Sequence, residues 1–210
     1  MKREEVMLSM TRNAIVVDLN RCIGCFGCEV ACKQENDVPL GQYWSRVTPV
    51  GPNGTFPHIE QYWLPTMCQQ CEGAPCVEVC PTGASYRDEE TGVVLIEQEN
   101  CIGCKSCLSA CPYGVRAFNE AESIVGKCTL CKPLTDKGEL PACVKACCGE
   151  ARFYGDLDDP NSDVAKAVAA YDEADRHQLA DSGNGPATIY LLSPKYATWV
   201  SDDAVQVSNA

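Results

Sequence analysis

Cys101, Cys104, Cys107 and Cys111 stand at spacing C-x2-C-x2-C-x3-C, with Pro112 behind the last. Thiolates so spaced suit a [4Fe–4S] cubane. Three on a tight loop reach three irons of one cube; the fourth, a helical turn further on, points away and ligates a second cluster. Three more quartets flank this run: Cys22, Cys25, Cys28 and Cys32; Cys68, Cys71, Cys76 and Cys80; and Cys128, Cys131, Cys143 and Cys147. Each opens with a C-x2-C pair. Sixteen of the 17 cysteines are thereby used, and Cys148 is left over, expected as a small buried residue.

Two other chemistries compete for so many thiols. A disulfide framework suits small secreted domains, but the count is odd. Met1 to Met10 also shows neither the apolar core nor the cleavage site of a secretory signal, and Lys2-Arg3 is not a twin-arginine signal. Zinc takes paired C-x2-C motifs separated by a longer loop. Here the third and fourth cysteines follow closely in most quartets, and a proline follows two of them. A zinc-stabilised interaction module would be colourless and iron-free.

The formal charge of −12 over 210 residues, deepened by about −2 for each thiolate-bound cubane, excludes nucleic acid and anionic lipid as main partners. No apolar run reaches the length of a membrane span, so no direct membrane insertion is expected. His58 and His177 lie far apart and are expected at the surface, the first in a hairpin and the second at a helix end. No phosphate loop, nucleophile elbow or carboxylate pair is present, so no catalytic residue is assigned. Lys105, Arg116 and Lys127 lie beside quartets in sequence and are expected as solvated charges, with tuning of a cluster as the alternative.

The elements that must position these cysteines follow from the sequence between them. Met1 to Arg12 is polar, and Met10 is a possible alternative start. Asn13 to Leu19 reads as a strand leading into the first quartet. Ile15-Val-Val before Cys22-Ile-Gly-Cys25 and Val93-Val-Leu-Ile96 before Cys101-Ile-Gly-Cys104 form an internal repeat. Residues 43–66 read as an inserted hairpin turning at Gly51-Pro-Asn-Gly54, with Trp44, Tyr62 and Trp63 as packing residues. The fourth quartet spans a loop of 11 residues between Cys131 and Cys143. A helix is expected from Val164 to Arg176 with Val164, Val168 and Tyr171 on one face, then a strand from Thr188 to Leu192 and an apolar tail.

Quartets two and three both end in Cys-Pro-x-Gly, whereas one and four lack the proline (Cys32-Lys33, Cys147-Cys148). Matching ends favour pairing two with three and one with four over pairing neighbours in sequence. The crossed-ligand rule then expects cluster A on Cys22, Cys25, Cys28 and Cys147; cluster B on Cys128, Cys131, Cys143 and Cys32; cluster C on Cys68, Cys71, Cys76 and Cys111; and cluster D on Cys101, Cys104, Cys107 and Cys80. The expected fold is α+β. It comprises two interleaved modules similar to bacterial ferredoxins, one from 13–42 with 116–155 and one from 67–115, the hairpin at 43–66, and a C-terminal wrapping segment at 156–210.

From about Ala14 to Ala170 the chain resembles the four-cluster iron–sulfur subunit of the dimethyl sulfoxide reductase family of molybdopterin oxidoreductases, with the polysulfide and thiosulfate reductase subunits nearest. The resemblance rests on Cys76-Val-Glu-Val-Cys80-Pro-Thr-Gly-Ala84, Ala110-Cys-Pro-Tyr-Gly-Val115, Lys127-Cys-Thr-Leu-Cys131, Pro141-Ala-Cys143 and Tyr154-Gly-Asp-Leu157. It implies four [4Fe–4S] clusters in the same crossed scheme and a non-catalytic electron-transfer role in anaerobic respiration. The implied partners are a large molybdopterin (bis-pyranopterin guanine dinucleotide) catalytic subunit at the cluster A end and a quinol-linked membrane anchor or soluble donor at the cluster D end. Membrane association would then come through partners, on the extracytoplasmic face by co-export, with a cytoplasmic complex as the alternative. Gln70 stands where many relatives carry histidine, and Cys148 where many carry proline. A free-standing polyferredoxin carrier is the alternative function; the hairpin and the cysteine-free tail argue against it.

Overall fold

The computed structural model describes residues 11–200, so expectations placed on residues 1–10 and 201–210 lie outside the described residues. Its largest sheet gathers strands from both ends of the chain. Strand β1 (Asn13–Asp18) pairs in parallel with β10 (Ile189–Leu191) and antiparallel with β8 (Arg152–Asp156), and β10 carries β9 (Arg176–His177) on its far side. Ala14, Val16 and Val17 are fully buried, as expected of a central strand covered on both faces. Val16 and Leu191 meet Val164 of helix α6 (Asp163–Ala169), with Val168 and Tyr171 packed alongside. The opposite face meets the main core, in which apolar side chains and cysteines are mixed.

Helix α6 is capped by Ser162, whose hydroxyl accepts the Ala165 N–H at 3.1 Å. It stops seven residues short of the expected Arg176. Asp172 adopts an extended conformation and starts a short 3-10 turn at Glu173–Asp175, and the Arg176 guanidinium closes on the Tyr171 carbonyl. His177 consequently sits on β9, half-buried and stacked on Trp199 at 4.8 Å, and not at a surface helix end. His58 is exposed, as expected.

The hairpin is formed by β2 (Ser45–Thr55) and β3 (His58–Met67). Its turn lies at Phe56-Pro57, and the Gly51-Pro-Asn-Gly54 cluster is instead a bulge inside β2, where the register shifts between Val50 and Asn53. A bulge tolerates proline because its N–H has no ladder partner to supply. Tyr62 is buried, and Trp44 and Trp63 are half-buried against the core, so all three aromatics pack. Trp199 stacks on Tyr62 at 6.1 Å, and Val200 N–H donates to the Tyr62 hydroxyl, which ties the end of the described chain to the hairpin.

Two small hairpins complete the sheets: β4 (Ser85–Arg87) with β5 (Val94–Ile96), and β6 (Ala117–Asn119) with β7 (Ile124–Gly126). The remaining helices are short and belong to the cysteine quartets. They are α1 (Gly27–Glu35), α2 (Pro75–Glu78), α3 (Ser106–Ser109), α4 (Lys132–Thr135) and α5 (Ala142–Lys145). Helix α1 packs on α5, and α2 on α3.

Candidate metal centres

In every quartet the third cysteine rides in a short helix: Cys28 in α1, Cys76 in α2, Cys107 in α3 and Cys143 in α5. The fourth follows four residues on, about 6 Å further along the axis. It therefore leaves the loop of its own quartet and reaches toward a neighbour.

Cys22, Cys25, Cys28 and Cys147 line one cavity of about 370 Å³, its open mouth included. Cys80, Cys101, Cys104 and Cys107 line a second, of about 330 Å³. Cys32, Cys128, Cys131 and Cys143 line a third, of about 290 Å³. Cys68, Cys71, Cys76 and Cys111 form a fourth group, close enough that the charges of Cys68, Cys76 and Cys111 all bear on Cys71. Each group thus takes three sulfurs from one quartet and the last sulfur of another. Neighbouring groups share side chains: Arg152 lines both the Cys22 and the Cys32 cavities, Gln70 beside Cys71 donates to the Cys128 carbonyl, and Arg116 of the Cys80 cavity donates to Cys76 Sγ.

The loops share one backbone feature that their sequences conceal. The residue before the second cysteine is left-handed in all four quartets: Gly24 (φ 64°), Gln70 (51°), Gly103 (66°) and Leu130 (55°). A left-handed residue in a turn swings successive N–H groups toward one point and makes a concavity for an anion, a construction common at iron–sulfur sites. Leucine and glutamine adopt this conformation only at a cost of about 1–2 kcal/mol, so the shape is imposed by what surrounds the loop.

Burial pushes the Cys71 and Cys128 thiols up to about 12, and also raises Cys28, Cys32, Cys76 and Cys111. The exposed Cys25 and Cys104 go down, Cys25 through the Gly27 N–H and Cys104 through the Ser106 hydroxyl. Donors to sulfur come from several elements. Ala151 N–H reaches Cys147 Sγ at 3.2 Å, Asn184 Nδ2 reaches Cys71 Sγ at 3.1 Å, and Arg116 Nη2 reaches Cys76 Sγ at 2.8 Å.

Three buried cations stand among these sulfurs. Arg152 is 4% exposed, lines both the Cys22 and the Cys32 cavities, and donates Nη2 to Ser45 Oγ. Lys127 is 1% exposed and donates to the Val94 and Cys128 carbonyls. Arg116 is 3% exposed, lines the Cys80 cavity and reaches Cys76 of the adjoining group. Arg116 and Lys127 are therefore not solvated charges, contrary to their expected placement. Lys105 is exposed, over the Phe118 ring at 3.8 Å.

Cys148 is exposed, not buried, with Sγ 3.6 Å from Cys25 Sγ. Gln70 is buried. Its Oε1 accepts the Val94 N–H, and its Nε2 donates to the Cys128 carbonyl, joining two of the sulfur groups. Arg152 and Asn184 gave no local signal in the sequence. Both lie outside the quartets, and only the β8 pairing and the C-terminal loop bring them in.

The donor set fits an anionic multi-iron core. Among the described residues no three His, Cys, Asp or Glu side chains close round a single ion. A lone zinc would draw its sulfurs to within about 3.8 Å of one another, at a Zn–S distance of about 2.3 Å. Here the sulfurs of three of the four groups ring cavities instead. The Arg152 Nη1 atom is buried without a hydrogen-bond partner among the described residues, and an anion in either adjoining cavity would compensate it.

Residues 59–157 match the family described as 4Fe-4S dicluster domain. The arsenate respiratory reductase iron-sulfur subunit ArrB of Shewanella sp. (strain ANA-3) is 36% identical, over 87% of this chain and 97% of its own. A subunit of the sulfite dehydrogenase of Allochromatium vinosum is 40% identical, over 87% of this chain and 83% of its own. A subunit of the tetrathionate reductase of Salmonella typhimurium is 37% identical, over 86% of this chain and 72% of its own.

Proposed function

The chain belongs to the family of iron–sulfur subunits of molybdopterin oxidoreductases and is an electron-transfer subunit of a reductase complex rather than a catalytic one; from this we propose that it holds four [4Fe–4S] clusters in file. Cluster A takes Cys22, Cys25, Cys28 and Cys147; cluster B takes Cys32, Cys128, Cys131 and Cys143. Cluster C takes Cys68, Cys71, Cys76 and Cys111; cluster D takes Cys80, Cys101, Cys104 and Cys107. The observation that carries this is the grouping of sulfurs around three cavities, each with three from one quartet and the last of another; Cys68, Cys71, Cys76 and Cys111 are the set this leaves. The packing of α1 on α5 and of α2 on α3 supports two interleaved modules, 13–42 with 116–155 and 67–115. Contacts of Asn184 and Trp199 support a C-terminal segment that wraps them.

When bound, each cluster supplies a site for one electron. The chain's own residues hold it through thiolates, shield it through the mixed core, and tune it through N–H donors and buried charge. The file would open outward at both ends. Cys25 and Cys104 are exposed, beside the apolar Ile23 (64% exposed) and Ile102 (66%). The Cys25 end would face a molybdopterin catalytic subunit, and the Cys104 end a quinol-linked membrane subunit or another donor. No helix among the described residues is long and apolar enough to cross a membrane, and membrane association would come through that partner.

Iron and acid-labile sulfide in the anaerobically purified complex test the reading. About sixteen of each per chain is expected, four per site. About eight, or zinc in place of iron, would overturn it.

A further inference from the structure

The three buried cations divide the cluster file between them. Arg152 lines both the A and the B cavities, with Cys28 on one side and Cys143 on the other. Lys127 donates to the carbonyl of Cys128, a B ligand, and to that of Val94, whose N–H is held by Gln70 in the loop between the C ligands Cys68 and Cys71. Arg116 hydrogen-bonds Cys76, a C ligand, and lines the D cavity beside Cys107. One cation thus stands at A/B, one at B/C and one at C/D. We propose that Arg152, Lys127 and Arg116 are shared tuning charges, one in each gap of the file, and that each sets the potentials of the two clusters it separates. This rests on the four-cluster reading above.

The physical reason lies in what buried charges need. Among the described residues neither Arg152 nor Lys127 pairs with a carboxylate; the ion pairs all lie at partly exposed side chains. A cation buried without a counter-ion is costly, and the sulfurs that face these cations, Cys28 and Cys143 beside Arg152 and Cys76 and Cys107 beside Arg116, become anions as thiolates holding a cluster. Reduction adds one negative charge to a cluster. A fixed cation in a low-dielectric gap favours the reduced form of both neighbours, whereas an exposed charge such as Lys105 is screened by solvent and salt. The sharing also links the clusters: one substitution must move a pair of neighbours together.

The test is a redox titration of the purified complex, followed by electron paramagnetic resonance, with iron counted in each sample. Four one-electron waves and about sixteen irons in the unaltered protein establish the footing; fewer waves there would count against the cluster reading and not against the charges. Arg152→Gln is expected to lower two of the four waves and Arg116→Gln the other two. Lys127→Gln is expected to lower one wave from each of those pairs. Each shift should be about tenfold in the reduction equilibrium, which is about 59 mV for a one-electron couple. The charge-keeping variants Arg152→Lys, Arg116→Lys and Lys127→Arg should leave all four waves within threefold of their original positions, and they decide the matter where a Gln variant loads less iron. Movement of a single wave by any Gln variant, movement of the same pair by both arginine variants, or displacement by the charge-keeping variants as large as that of Gln would overturn the proposal.

Discussion

Asn184 donates its side-chain N–H to Cys71 Sγ at 3.1 Å across 113 residues of chain, and a second bond from the same nitrogen reaches the Tyr113 hydroxyl at 2.7 Å. The loop presenting it is wound on Asp181, whose carboxylate accepts the N–H groups of Gly183, Asn184 and Gly185. The segment that carries no cysteine thus supplies a donor to a cysteine sulfur of the core, and Asn184 is only 3% exposed while doing so.

A donor to sulfur favours the reduced state, because the sulfur becomes more electron-rich on reduction. If half of a hydrogen bond of about 2 kcal/mol separates the two states, losing it lowers the potential by roughly 40 mV. Asn184→Leu is therefore expected to move one wave of the redox titration down by about that amount, with iron content unchanged. Asn184→Gln, which keeps an amide, should recover part of the shift.

Cys147 and Cys148 are neighbours with opposite expectations. Cys147 lines the cavity with Cys22, Cys25 and Cys28 and accepts the Ala151 N–H, while Cys148 stands outside in solvent against Cys25. Cys147→Ser should lose between about one and four irons, according to whether a three-iron core survives or the site empties. Cys148→Ser should keep the full count. Iron analysis of the two variants side by side decides this, and equal losses would mean that the pair shares the site.

The quartets were legible because ligand spacing is local: C-x2-C fixes a loop and x3 fixes a helical turn, wherever the loop sits. The strands β1 and β10 were legible for the same reason, as short apolar runs bounded by polar turns. What escaped was set by long-range packing. Arg116 and Lys127 look like any basic residue beside a turn, and nothing within a few residues of them announces that they are 3% and 1% exposed. Arg152 is the first residue of β8, and its burial follows from pairing with Val17 across the sheet. The shared left-handed residue escaped as well: glycine, which takes this conformation freely, stands in only two of the four loops, and Gln70 and Leu130 hold it with no residue type that asks for it. The hairpin turn was misplaced because glycine and proline mark a bulge as readily as a turn.

Gly24 and Gly83 separate the two costs that a left-handed glycine can carry. Both have positive φ, 64° and 68°. A Cβ on Gly24 would come within 2.2 Å of the Trp63 ring, whereas one on Gly83 would meet nothing within 4 Å. Trp63 itself packs edge-on against Phe26 at 5.6 Å, so displacing the ring would give up that contact. Gly83→Ala should cost only the backbone term, about 1–2 kcal/mol. Gly24→Ala should cost that and a further 1–3 kcal/mol or so of overpacking, concentrated in the loop that carries Cys22 and Cys25. Thermal inactivation midpoints of the loaded complex should therefore fall in the order unaltered protein, Gly83→Ala, Gly24→Ala. Made on top of Trp63→Leu, Gly24→Ala should cost only the backbone term, so the overpacking appears as the coupling energy of the double-mutant cycle. Equal midpoints for the two alanine variants would show that the ring yields, and that the indole does not set the shape of this loop.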